Sequence, residues 1–144
     1  MWRFPFTAGK LKAVSRKNGK IVKETVMETA GPAAKINLDP DREILKANNK
    51  DLSFVSVKIT DQEGHLVPNA NHNISFHLEG NGEIYGVASG DPTNHQSFKG
   101  KEHRALNGKC LVIIKSGNQK GDLKLTASAE GLKKTSVIIK LEKE

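Results

Sequence analysis

The sequence predicts an all-β fold: an immunoglobulin-like antiparallel β-sandwich of about seven strands, preceded by a β-hairpin. Three observations carry this. Short runs of alternating apolar and polar residues recur through roughly the last 110 residues. Clusters of Gly, Pro, Asn and Asp punctuate them at sandwich-like intervals. No stretch of useful length has apolar residues at helical spacing.

Residues 10–28, KLKAVSRKNGKIVKETVME, hold the clearest local signal. Asn18-Gly19 between two alternating runs is a strong hairpin signature, because both residues accept the positive φ that a two-residue turn demands. A regular ladder would pair Arg16 with Ile21, Val14 with Lys23, Lys12 with Thr25 and Lys10 with Met27. It would gather Leu11, Ala13, Val22 and Val26 on one face and most of the basic residues on the other. Thr29-Ala30-Gly31-Pro32 then breaks the chain, so the expected units are a terminal hairpin plus linker at 1–31 and a sandwich at 32–144.

Within the sandwich, Ala34 to Leu38 alternates and ends at Asp39-Pro40, and Ile44-Leu45 suits a short edge piece. Leu52 to Thr60 places Val55, Val57 and Ile59 on one face, before a turn at Asp61-Gln62-Glu63-Gly64. Ile74, Phe76 and Leu78 alternate with polar neighbours, and Gly80-Asn81-Gly82 turns into Glu83–Val87. Cys110 to Ile114 is continuously apolar, as suits a strand covered on both faces. Leu123, Leu125 and Ala127, then Val137, Ile139 and Leu141, supply the last two strands.

Composition narrows the function. With 144 residues, 36% hydrophobic and 5% aromatic, the core must be built from Val, Ile and Leu. The net charge of +7 is uneven: residues 1–31 carry seven Lys/Arg against two Glu, and no Lys or Arg lies between Lys58 and Lys99. A nucleic-acid binder concentrates basic residues along one face with stacking aromatics between them. Here the excess sits on one hairpin with only Trp2, Phe4 and Phe6 nearby, so no nucleic-acid partner is expected. No apolar stretch approaches the roughly 20 residues of a membrane span, and none is expected to insert. The first ten residues lack the apolar core of a signal peptide. One cysteine excludes an internal disulfide, and its apolar setting predicts a buried, inert thiol.

The remaining chemistry converges on the long stretch between Val87 and Cys110. Loops of that length are functional, ordered by their own contacts, or disordered. Asp91, His95, Arg104 and Asn107 form its candidate polar cluster, in which Asp91 and Arg104 are expected to pair and close the loop. Glu79, Glu83 and Asp91 are the carboxylates that could be drawn into glycoside chemistry. Two of them flank a tight turn, where nothing apolar would raise a pKa. His72 and His77 fit no zinc spacing. No catalytic residue, metal or cofactor is expected.

The run GDPTNHQSFKGKEHRALNGKCLVIIKS resembles part of the C-terminal immunoglobulin-like modules of glycoside hydrolase family 2 β-galactosidases. That region reads roughly G-D-P-T-S-H-E-x-F and then R-A-F-N-G. Gly90, Asp91, Pro92, Thr93, His95, Phe98, Arg104, Ala105, Asn107 and Gly108 match it, and Leu106 replaces the Phe. Upstream, PFTAGKLKAVSRKNGK resembles the hairpin that ends the preceding domain in these enzymes, with Ala8-Gly9 in place of Pro-Gly. The resemblance spans nearly the whole chain. It implies a non-catalytic accessory module of a β-galactosidase-like hydrolase whose catalytic glutamates lie on a barrel far upstream.

The implied partners are other domains of the parent enzyme. A carbohydrate-binding or adhesive immunoglobulin-like module is the alternative, with glycan as partner. The hairpin, with free strand edges and a short linker, is expected to be ordered by contact with its own sandwich or by self-association through residues 10–28.

Overall fold

The computed structural model describes residues 5–143, so Trp2 and Phe4 lie outside the described residues. Among those residues the chain is all strand and turn. The hairpin consists of β1 (Lys10–Lys17) and β2 (Lys20–Glu28). The sandwich follows as β3 (Lys35–Pro40), β4 (Ile44–Lys46), β5 (Leu52–Thr60), β6 (Asn73–Glu79) and β7 (Gly82–Ala88). It is completed by β8 (Glu102–Arg104), β9 (Lys109–Ser116), β10 (Gly121–Ser128) and β11 (Thr135–Glu142). Its two sheets have the orders β4-β11-β10-β6-β8 and β3-β5-β9-β7, antiparallel except for the short parallel pair β4–β11.

Period-two alternation places the core. Val55, Val57 and Ile59 of β5, and Val112 and Ile114 of β9, point inward from one sheet. They meet Ile74 and Phe76 of β6, Leu123, Leu125 and Ala127 of β10, and Ile139 and Leu141 of β11 from the other. Most of these side chains are wholly buried, and burying a Val, Leu or Ile is worth about 1.5–3 kcal/mol. The expectation for β9 needs correction. Cys110, Val112 and Ile114 are buried, whereas Leu111 and Ile113 lie half-buried on the sheet's outer face. The continuous apolar run marks a central strand, between β5 and β7, with one closed and one partly open face.

The hairpin turn forms where expected, with Asn18 and Gly19 at φ 49° and 76°, and Arg16 stands opposite Ile21. Beyond that pair the ladder departs from the regular one. Val22 is an extra residue on β2, a bulge that moves each later pairing by one, so that Ser15 faces Lys23 and Lys12 faces Val26. A one-residue slip exchanges faces. Leu11 and Ala13 therefore stand opposite Met27 and Thr25, and Val26 joins the lysine side. The slip places acids beside bases: Lys12 meets Glu24 at 2.8 Å, and Lys10 pairs with Glu28. The ribbon does not lie on the sandwich. Leu11, Val22, Val26 and Met27 are all exposed, Met27 to 67%, and among the described residues the polar contacts with the sandwich lie at the hairpin's root, where Glu28 meets His65.

Candidate functional site

The segment between β7 and β9 is ordered by short side chains bonding to nearby backbone. Gly90, at φ 75°, turns the chain out of β7. Asp91 then closes an Asx-turn: its Oδ1 accepts from the Thr93 N–H at 2.9 Å and from the Thr93 hydroxyl at 2.7 Å. Asn94 Oδ1 accepts from the Gln96 N–H at 2.9 Å. The Gln96 amide is the hub. Its Oε1 accepts from the Arg104 N–H at 2.7 Å and from Asn94 Nδ2 at 3.0 Å, while its Nε2 donates to Asn73 Oδ1 at 2.9 Å. The loop is thereby fastened to β6 and β8, and the Val87 N–H, donating to the Phe98 carbonyl at 2.8 Å, fastens it to β7.

Beneath it lies His103, 1% exposed, on the three-residue strand β8, which pairs with β6. Phe98 stacks on its ring at 6.0 Å between centroids. Asn94 Nδ2 lies 3.4 Å from Nε2, and Nδ1 has no partner among the described residues. Burial pushes the His103 pKa down, and the nearby Asp91 charge opposes this. Asp91 itself is held below its usual range, first by the Thr93 hydroxyl, then by the Thr93 N–H, with Arg104 contributing at a distance.

Of the four residues singled out from sequence, Asp91 and Arg104 are near enough to feel each other's charge. No hydrogen bond or ion pair joins them among the described residues, so the expected closing pair does not form. Arg104 contributes its backbone N–H to the network and leaves its side chain in solvent. His95 is exposed. Asn107, at φ 52° beside Gly108 at 74°, occupies a two-residue turn closed by reciprocal bonds between Leu106 and Lys109. The sequence reading missed Asn73, Asn94 and Gln96; His103, which it placed with Asp91, His95 and Arg104 as able to converge, is buried beneath the loop. Glu79 and Glu83 are exposed on different sheets, Glu83 paired with Lys115 at 3.0 Å.

A second polar cluster sits where the hairpin meets the sandwich. Asp61, 4% exposed, accepts from the N–H groups of Gly31 at 2.8 Å, Glu63 at 3.0 Å and His65 at 2.8 Å. The Gly31 bond leads these in pulling its pKa down to about 2, against the opposing effect of burial. His65 Nδ1 lies 3.2 Å from Asp61 Oδ2, and His65 Nε2 lies 3.0 Å from Glu28 Oε2 at the end of β2. Beside it, Phe6, Leu11, Met27, Leu66, Val67 and Pro68 line an apolar cleft of about 910 Å³.

Known proteins share this architecture. A β-galactosidase of Bacteroides ovatus is 43% identical over 141 residues, which is 98% of this chain and 17% of that enzyme. Among solved structures, a glycosyl hydrolase family 2 member of Bacteroides cellulosilyticus superposes with a TM-score of 0.93 at 32% identity, covering 99% of this chain and 18% of that one. A β-glycosidase of Bacteroides vulgatus gives 0.89 at 30%, covering 96% and 18%. The chain thus spans under a fifth of the length of these relatives. Residues 36–138 match the family described as glycoside hydrolase family 2 C-terminal domain 5. That match takes in both sheets and the whole loop, and the chain belongs to this family.

Proposed function

We propose that this chain serves as a non-catalytic accessory β-sandwich of a β-galactosidase-like glycoside hydrolase, packing against other domains of the parent enzyme. Its residues 1–31 are read as the closing hairpin of the preceding domain and the linker. The observation that carries this reading is the hairpin's bare ribbon. Leu11, Val22, Val26 and Met27 are exposed on two strands that, among the described residues, no third strand joins. Two strands alone are marginal in water and need a further layer to cover such side chains.

The chemistry of the loop supports the same reading. Asp91 is engaged by Thr93, and Glu83 by Lys115, so neither is free beside a second carboxylate in a shared cleft. The glycan-binding alternative draws on the exposed rings of Phe54, Tyr85 and Phe98. Against it, Lys99 Nζ sits 3.9 Å over the Tyr85 ring, on a face that a sugar would need.

The test is hydrolysis of a chromogenic galactoside by the isolated chain, beside glycan binding. The reading expects neither. Hydrolysis abolished by Glu79→Gln, Glu83→Gln or Asp91→Asn would overturn it, and saturable glycan binding lost on Tyr85→Ala would favour the alternative.

A further inference from the structure

The loop over His103 dictates the protonation state of that buried ring. Backbone N–H groups can only donate, and they fix the direction of each side-chain amide in the network. The Gln96 N–H donates to Asn94 Oδ1 at 2.9 Å, and the Arg104 N–H donates to Gln96 Oε1 at 2.7 Å. Asn94 Nδ2 is thereby the donor to Gln96 Oε1 at 3.0 Å, and the same Nδ2 lies 3.4 Å from His103 Nε2. A donor facing Nε2 requires a lone pair there, so the ring is neutral and carries its proton on Nδ1.

A second proton would stand on Nε2, against the Asn94 Nδ2 donor. Turning the Asn94 amide over relieves that clash only by aiming Oδ1 at Gln96 Oε1 and Nδ2 at the Gln96 N–H, so both Asn94–Gln96 bonds fail together. Charge nearby does not offset the added proton. On β8, Glu102 and Arg104 are exposed on the face opposite His103, and Glu102 accepts from Asn73 Nδ2. β6 sets apolar Ile74 against the ring, with His77 and Glu79 exposed, and Glu83 of β7 is paired with Lys115. In the loop, His95 and Lys101 are exposed and Lys99 lies over the Tyr85 ring. Asp91 is the charge that acts on the imidazole, and burial outweighs it, leaving the pKa below its ordinary 6.5.

We propose that His103 is an acid-sensitive latch: the neutral ring lets residues 89–101 lie closed over β6 and β8, and its protonation releases that segment. The sign follows from linkage. In the open form the ring takes a proton as pH falls through its ordinary 6.5, whereas the closed form resists it. Closure is therefore at full strength above that pH, and weakens about tenfold for each unit below it until the ring titrates in place.

The test is hydrogen exchange on the 144-residue chain at about pH 7.5 and about pH 5, with each amide rate divided by its intrinsic rate so that it reads the opening ratio. The Arg104 and Val87 N–H groups, which bond to Gln96 and Phe98, report on the loop. Their protection should fall by about tenfold to thirtyfold between the two conditions, with the amides of β5 and β9 better protected at both. Nitrogen NMR of the ring should place the His103 proton on Nδ1 at the higher pH. His103→Phe, which can still stack on Phe98 and cannot titrate, should abolish the pH response. The proposal is overturned by a proton on Nε2, by equal protection at the two conditions, by a response that survives the variant, or by loop amides that exchange only together with those of β5 and β9. The ring and exchange readouts on the unsubstituted chain keep the test decisive should the variant fail to fold.

Discussion

Gln96→Ala and Arg104→Ala make opposite claims about what holds the long loop. The Gln96 side chain makes three hydrogen bonds, to the Arg104 N–H, Asn94 Nδ2 and Asn73 Oδ1. A net contribution of about 1 kcal/mol each would give about 3 kcal/mol in a sealed site. Arg104 and Asn73 are exposed, so water replaces part of what is lost. The expected cost of Gln96→Ala is therefore about 1–2 kcal/mol. Among the described residues the Arg104 side chain has no bonded partner, and its influence on Asp91 is a screened surface interaction, so Arg104→Ala should cost under about 0.5 kcal/mol. Urea unfolding followed by far-ultraviolet circular dichroism reads both from midpoints at constant slope. If Arg104→Ala destabilises as much as Gln96→Ala, the guanidinium closes the loop and the amide hub does not.

Three further outcomes follow from the geometry. Gly108→Ala should destabilise by about 2–4 kcal/mol in the same assay, because Gly108 holds φ +74° and an added Cβ would fall 2.4 Å from the Val67 carbonyl oxygen; an unchanged midpoint would show that this turn relaxes freely. Asp61 has a folded pKa of about 2 against an ordinary 3.8, so its contribution is full above the higher value and is lost as pH falls between them. Melting temperature should drop through that window, and the slope should flatten in Asp61→Asn; an equal slope in the variant would assign the loss to other groups. Cys110, buried and with its thiol pushed up to about 11, should react with a thiol reagent only as fast as the domain opens, and immediate labelling of the native chain would contradict its burial.

How much was legible in the sequence depended on where side-chain alternation ran long enough to read. β5, β6, β10 and β11 each present several inward residues at period two, and all four strands stand where that pattern puts them. β8 spans only three residues and sets the buried His103 between charged Glu102 and Arg104, so no apolar pattern announces it. The Asn107-Gly108 turn had a readable signal, the same dipeptide that marked the turn at Asn18-Gly19. Placing Asn107 in a polar cluster obscured it. The hairpin bulge was invisible to pattern, because Val22 and Lys23 are each acceptable on either face of an exposed ribbon.

The loop shows a different limit. Charge drew attention to Asp91 and Arg104, whereas the segment is organised by amides, whose partners depend on which residues the β6–β8 pairing sets side by side. Gln96 reaches Asn73 across 23 positions of sequence, a contact that only the assembled sheet defines. Likewise, Glu28 and His65 belong to segments with no local relation until the chain turns at Gly31 and Asp61 captures its N–H.

Hydrogen exchange on residues 10–28, compared between the isolated chain and the full parent enzyme, tests the packing role most directly. The account predicts fast exchange of the outward-facing amides of β1 and β2 in the isolated chain and strong protection in the parent, where another domain covers Leu11 and Met27. Equal exchange in both would mean that the hairpin stays bare in the enzyme, and would contradict the account.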